Sequence, residues 1–318
     1  MTGEGLPQPV TPHWDAPDRH DGRVYLMHQR IKLAVDVALA TGRPLLLRGE
    51  PGSGKSSLAA HIAFTRRWRY YEQVVTSRTQ GRDLLWTYDH VRRLGDAQIR
   101  RPGTELDDAA YVTPGPLWWA FNPLSAGGDR ETKRVDPREE VNRGREQHSA
   151  VVLIDEIDKA DPDMPNSLLV PLGSHRFTVQ ETGEEVGKHV PSEGEEPGRH
   201  LVIITTNEER ELPQAFLRRC VVLMLEEPDQ TRLVKIAEKH FQTAVGAFTA
   251  ADRALAEELA DALVETRTYA KQQGLRPPST AEFLDALRAC KELMIDTEHP
   301  DWGELKKLTL LKPQQPEA

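Results

Sequence analysis

The 318-residue chain predicts an α/β protein: an open, mostly parallel five-stranded sheet followed by a smaller all-helical domain. Three observations carry that prediction. Five short apolar runs alternate with helical patterns up to Leu225; a glycine-rich loop joins the first run directly to a helix; and beyond Glu226 only helical periodicity remains.

Residues 1–23 are rich in proline, glycine and charge and read as a loose arm. Between Met27 and Thr41 the apolar positions Ile31, Ala34, Val35, Ala38 and Leu39 recur at helical spacing, and Gly42 stands where that helix would stop. Pro44 to Leu47 reads as a short buried strand, Leu58 to Ala63 as a helix free of breakers, and Tyr70 to Thr76 as the next strand. The pattern weakens from Tyr88 to Pro114, which marks an insertion, and resumes in the dense apolar run Tyr111 to Phe121. Residues 125–148 are almost wholly polar and predict a solvated helix or a mobile loop. Ala150 to Ile154 predicts a strand ending in acids. Arg176 to Val179 and Glu185 to Val190 predict a hairpin about Thr182 and Gly183, and Leu201 to Thr206 and Val221 to Leu225 complete the strands. Asp229 and Thr249 stand where N-caps belong, Gly274 where a C-cap belongs, and Ser279 with Glu282 forms a capping box opening a helix toward Met294. The expected division is an arm over 1–23, an α/β nucleotide-binding domain over 24–226, a helical lid over 227–312 and a tail over 313–318.

Composition narrows the function classes. Apolar residues make up 38% and charged residues 29%, ordinary values for a globular protein. The apolar runs are too short to span a bilayer, and the N-terminus lacks the basic and apolar regions of a signal peptide, so the expected location is cytoplasmic. A formal net charge of -9 argues against a surface built to neutralise a nucleic-acid backbone. Cys220 and Cys290 read as small buried residues in a strand and a helix. His61, His90, His175, His200 and His240 fall on separate elements without metal-ligand spacing, which favours solvent-facing or locally bonded roles.

The chemistry begins at Gly49. The run GEPGSGKS fits the phosphate-loop pattern G-x-x-x-x-G-K-[ST] at every specified position, with a strand before it and a helix after it. Gly49, Gly52 and Gly54 let successive backbone N–H groups turn inward, and the following helix directs its positive end at the anion. The nucleotide-binding set is therefore Gly49, Glu50, Pro51, Gly52, Ser53, Gly54, Lys55, Ser56 and Ser57, the last of these reading best as an ordinary helix residue. Lys55 would reach the β- and γ-phosphates, and Ser56 would complete Mg²⁺ coordination. Asp155 and Glu156, at the end of an apolar strand, supply the two carboxylates a hydrolase needs, one for the metal and one to polarise water. Asn207, at the end of the next strand, is placed to orient that water. Arg218 and Arg219 are candidates for an arginine supplied to a neighbouring subunit's γ-phosphate.

Together, GEPGSGKS, VVLIDEIDKADPDMPNSLLVPLGSHRF, TTNEERELPQAFLRRC and the helical segment, in that order, resemble a MoxR-type AAA+ ATPase of the dynein-related branch, over roughly Val24 to Met294. YVTPGPLWWAFNP is similar to that family's second helix, the stretch before it to the insertion in that helix, and the Arg176 to Val190 hairpin to the one preceding the sensor strand. The resemblance implies ATP and Mg²⁺ as cofactors, Lys55 and Ser56 on nucleotide and metal, Asp155 on metal, Glu156 on water and Asn207 as sensor. It also implies Arg219, with Arg218 as close competitor, as the finger of a ring, expected to be a hexamer, with the insertion near Trp86 to Trp119 and the hairpin facing the pore or a partner. Family members often remodel proteins carrying a von Willebrand A domain, which makes such a protein the first client to expect. The second sensor arginine of the family has no counterpart at the expected spot, where Thr280 or Ala281 stands and Arg276 falls several residues early. Competing readings are a nucleic-acid motor or loader, which the acids among Arg92, Arg93, Arg100 and Arg101 disfavour, and a nucleotide-gated scaffold with little turnover, which an intact Glu156 disfavours. GTP remains an alternative to ATP, with Tyr25 or His28 as residues that would pack on the base.

Overall fold

The computed structural model describes residues 22–99, 106–129, 132–194 and 196–310; the expected arm up to residue 21 and the expected tail lie outside them. The described residues divide into two compact units, one within 27–50 and 55–225, the other of residues 226–310 with 22–26 and Pro51–Gly54.

In the first unit, α1 (Gln29–Thr41) buries Ile31, Val35 and Ala38 and ends at Gly42, whose φ of 63° gives the left-handed stop that the sequence expects there. The strands β1 (Leu45–Arg48) and β2 (Trp68–Val74) flank α2 (Lys55–Arg66). The insertion holds β3 (Trp86–Tyr88), α3 (His90–Ile99) and β4 (Val112–Pro114), with β3 and β4 paired antiparallel. Then come α4 (Pro116–Phe121), α5 (Pro123–Gly127), α6 (Glu139–Asn142), β5 (Glu146–Asp155), α7 (Met164–Ser167) and α8 (Leu169–Ser174). The hairpin β6 (Arg176–Thr178) and β7 (Glu185–Gly187) leads to β8 (His200–Thr206), α9 (Gln214–Leu217) and β9 (Val221–Met224).

The main sheet has the order β2-β5-β8-β1-β9, and every neighbouring pair is parallel. Parallel strands with crossover helices bury both faces, which is why β1 reads as an unbroken leucine run, with Leu45, Leu46 and Leu47 all fully buried. Because β1 lies between β8 and β9, the chain reverses direction of travel across the sheet beside β1, and ligands of such sheets bind at the carboxyl ends of the strands near that point. The register brings Arg48 level with Thr206 and Val74 level with Asp155, so Gly49, Glu156 and Asn207 all emerge from that edge.

Two expectations need correction. The polar stretch 125–148 is neither a free loop nor a solvated helix: Asn142 is 5% exposed, its Oδ1 accepts the Tyr70 N–H at 2.8 Å, and Asp136 accepts the Tyr71 hydroxyl at 3.0 Å. Its polarity serves the edge strand β2, whose outer backbone groups need partners. As their apolar setting in the sequence suggests, Trp86 and Trp118 are buried: Trp86 stacks on Phe177 of β6 at 5.6 Å, and Trp118 meets the same ring edge-on at 5.7 Å. His175 and His200 are also drawn inward, each packing edge-on against Phe121. Burial first, then the nearby Lys188 and His175, pushes the His200 imidazole down to about 3.

The second unit is helical: α10 (Gln230–Val245), α11 (Ala250–Gln272), α12 (Thr280–Leu293) and α13 (Trp302–Leu310). The N-caps stand where the sequence puts them, while α11 is capped at Gln273, one residue before the expected Gly274, whose φ is 67°. The Asp229 side chain accepts from the Arg232 N–H, and Thr249–Asp252 and Ser279–Glu282 are both reciprocal capping boxes. Its core packs Leu233, Phe241, Leu259, Leu263, Phe283 and Leu287. The buried Arg267 guanidinium is satisfied by the carbonyls of Pro278 at 2.8 Å and Pro228 at 3.1 Å. Among the described residues no helix is long and apolar enough to cross a membrane.

Candidate nucleotide site

The loop from Gly49 to Gly54 bends through three positive-φ glycines, Gly49 at 142°, Gly52 at 74° and Gly54 at 87°, conformations in which a side chain would be strained. Such turns aim backbone N–H groups into a concavity suited to an anion. The Ser53 hydroxyl is buried without a hydrogen-bond partner among the described residues. Lys55 opens α2, is 6% exposed and folds its ammonium back onto the loop, donating to the Gly49 carbonyl at 2.7 Å and the Glu50 carbonyl at 2.9 Å. Burial pulls its pKa down, opposed by the charges of Asp155, Asp158, Glu50 and Glu156.

Next along α2, the Ser56 hydroxyl lies 2.9 Å from both carboxylate oxygens of Asp155. Asp155 ends β5, beside β8, and receives a second hydroxyl hydrogen bond, at 2.5 Å, from Thr205. That same Thr205 oxygen accepts the backbone N–H of Glu156 at 2.9 Å. Glu156 turns into a left-handed conformation (φ 60°, ψ 50°), which carries its side chain away from the strand's alternation. Its Oε1 accepts from the Asn207 side-chain amide at 3.1 Å, and its Oε2 pairs with Lys159 at 2.7 Å.

The structure therefore joins Ser56, Asp155, Glu156 and Asn207 in one hydrogen-bonded chain whose central link, Thr205, sequence reasoning missed. Two further members, Asp158 and Lys159, were also passed over. The available signal for Thr205 was a hydroxyl inside an otherwise apolar strand, a position where a polar group needs a stated partner. Ser57 is the third residue of α2 and is part-buried, Pro51 lies in the loop, and Glu50 contributes its backbone carbonyl to Lys55. Arg218 and Arg219, just before β9, are both exposed, with no hydrogen bond or ion pair to either guanidinium among the described residues. Arg276 lies in the turn between α11 and α12.

A strand, a glycine loop, a buried lysine, a part-buried serine and a carboxylate pair on the strand two places along thus lie together at the carboxyl edge of the sheet. The profile of the AAA domain, dynein-related subfamily, matches residues 44–220, more than half of the chain. The chain belongs to that family. The five-stranded parallel sheet with its flanking helices is accordingly the AAA+ P-loop fold. Among solved structures, this AAA domain is similar to a RuvB variant from Thermotoga maritima, with 14% identity, 88% of this chain and 67% of that one covered, and a TM-score of 0.45. It is also similar to NtrX from Brucella abortus in complex with ADP, with 14% identity, 93% of this chain and 58% of that one covered, and a TM-score of 0.49. No curated protein sequence matches it.

Proposed function

We propose that the protein is a Mg²⁺-dependent ATPase of the MoxR type, working in a ring and applying hydrolysis to a protein client. The observation that carries this reading is the unbroken chain of contacts from Ser56 through Asp155, Thr205 and Glu156 to Asn207, set beside a phosphate loop holding a buried Lys55. In this reading the loop amides and Lys55 bind the phosphates; Lys55 exchanges its two carbonyl partners for phosphate oxygens, so the loop is already shaped for the anion. The donor set of Ser56 hydroxyl and Asp155 carboxylate is all hard oxygen, as Mg²⁺ prefers, and these two residues would hold it. When bound, the ion neutralises charge on the β- and γ-phosphates. Glu156 takes a proton from the attacking water, and the Asn207 amide fixes where that water and the carboxylate meet.

The exposed guanidinium groups of Arg218 and Arg219, without a partner among the described residues, support a role toward a second copy, with Arg219 assigned as the finger and a hexameric ring as the assembly. A von Willebrand A domain protein is the client assigned by resemblance, and the cytoplasm the location. The insertion favours a protein client over nucleic acid: its Arg93 pairs with Asp108, which also accepts the Tyr88 hydroxyl at 2.6 Å, and Arg92 lies over the Tyr111 ring, so these charges serve the fold rather than phosphates. ATP is assigned over GTP by family. The reading is tested by nucleotide binding and Mg²⁺-dependent ATP turnover of wild type, Lys55→Ala and Glu156→Gln. It expects Lys55→Ala to lose binding by about 30-fold or more, and Glu156→Gln to bind ATP but turn it over about 10²-fold more slowly or worse. Normal turnover by Glu156→Gln would overturn it.

A further inference from the structure

We propose that Asp158 and Lys159, adjacent in the short 3₁₀ turn Ile157–Lys159 that follows β5, are positioning residues for hydrolysis: Asp158 fixes the backbone that carries Asn207, and Lys159 fixes the carboxylate of Glu156. The proposal rests on the reading of Glu156 as the base.

Asp158 is 3% exposed. One of its oxygens, Oδ2, accepts the backbone N–H of Asn207 at 3.2 Å and that of Glu209 at 3.0 Å, while the other, Oδ1, is buried with no hydrogen-bond partner among the described residues. Burying a carboxylate and leaving one oxygen unpaired costs stability, so the fold itself gains little from a charge here. What the carboxylate does secure is a strained turn. Glu208, between the two held amides, sits at a φ of 64°, a conformation that a residue with a side chain adopts only when its surroundings impose it. Asp158 thus grips both sides of the bend in which β8 ends, and Asn207 is on the near side of the grip.

Lys159 acts on the other partner. Glu156 is likewise held at positive φ, and each of its two carboxylate oxygens carries one donor, Asn207 on Oε1 and Lys159 on Oε2. Two donors on the two oxygens fix the plane of the carboxylate as well as its position, whereas Asn207 alone would leave it free to swing about one contact. The Lys159 side chain is 41% exposed, so the ion pair adds little stability and its removal leaves the fold intact. One three-residue turn therefore braces both members of the base–sensor pair, and each brace spans a strained residue.

The test is ATP turnover and, separately, equilibrium binding of a fluorescent ATP analogue, on the full chain, for Lys159→Met, Lys159→Arg, Asp158→Ala and Asp158→Asn beside Glu156→Gln. Positioning predicts that Lys159→Met lowers kcat about 10-fold while KM and the analogue's Kd move less than about twofold, since a misplaced group costs rate rather than binding. Lys159→Arg, which keeps the charge within reach, recovers part of the loss. Asp158→Asn, whose amide oxygen can still accept both N–H groups, loses less than Asp158→Ala. Wild-type kcat in Lys159→Met, or equal losses in its kcat and in its nucleotide affinity, overturns the proposal. If Asp158→Ala does not fold, the Lys159 pair and the Asp158→Asn rate decide. Full activity of Glu156→Gln would instead overturn the underlying reading of the base, so the two failures are told apart.

Discussion

Replacing Thr205 by valine removes one oxygen and keeps the side-chain shape, yet that oxygen links the Asp155 carboxylate to the backbone of Glu156. Thr205 is fully buried, so water cannot take its place. The change deletes a charge-assisted hydrogen bond to Asp155, ordinarily about 1.5–3 kcal/mol, and leaves the Glu156 N–H unpaired, a further cost of about 1 kcal/mol. The sum, about 3 kcal/mol, lowers the melting temperature of the α/β unit by about 6–12 °C for a domain of its size. Because Asp155 and the Glu156 backbone are placed by the same hydroxyl, turnover falls as well, by about 10²-fold, the usual cost of an ångström of misplacement. Thermal denaturation and Mg²⁺-dependent ATP turnover, measured on Thr205→Val and Thr205→Ser, form the assay. The serine variant keeps the hydroxyl and retains most of both properties. If Thr205→Val melts within about 2 °C of wild type, less than 1 kcal/mol by the same scaling, and turns over ATP at the wild-type rate, the linking role assigned to Thr205 is wrong.

Trp118→Ala empties the aromatic centre beneath the insertion and the hairpin, where Trp118 is fully buried against Phe177, and is expected to cost about 3–5 kcal/mol in denaturant unfolding; a loss under 1 kcal/mol would mean that the cluster is not core. His200 gives a pH dependence. Its folded-state pKa of about 3 lies below the unfolded value near 6.5, so the unfolded chain binds the extra proton, and stability contributed above about pH 6.5 is lost as pH falls toward 3. At pH 5.5 the loss from this one group is about 1.4 kcal/mol. Melting curves of wild type against His200→Phe between pH 7.5 and 5.5 check it, the wild type declining more steeply; parallel declines would remove His200 from the account.

Those features that depend on near neighbours in sequence were legible without the structure. The phosphate loop, the capping boxes at Thr249 and Ser279, and the apolar run of β1 are local, and each states its own geometry. The placement of Asp155, Glu156 and Asn207 at one sheet edge was legible because a strand ending in acids, and a polar residue ending the next strand, mark the carboxyl edge of a parallel sheet. The links between them were not. Thr205 touches Asp155 across 50 positions and Asp158 grips Asn207 across 49, contacts that exist only through the register of β8 against β5. Polar composition also misled at residues 125–148, where Asn142 and Asp136 look solvated in sequence but bond to the edge strand β2. His175 and His200 misled for the same reason: their spacing gives no hint that Phe121 draws both inward.

The central claim is a nucleotide site completed by a second copy of the chain, and mixing two inactive variants tests it most directly. Glu156→Gln lacks the proposed base but carries Arg219; Arg219→Ala keeps Glu156 but lacks the arginine. ATP turnover measured against protein concentration should rise with assembly in wild type, be lost in each variant alone, and return in part when the two are mixed, because mixed assemblies place an intact Arg219 beside an intact Glu156. Turnover independent of concentration, or mixtures as inactive as their components, would contradict a shared site and leave Arg218 and Arg219 as surface charge.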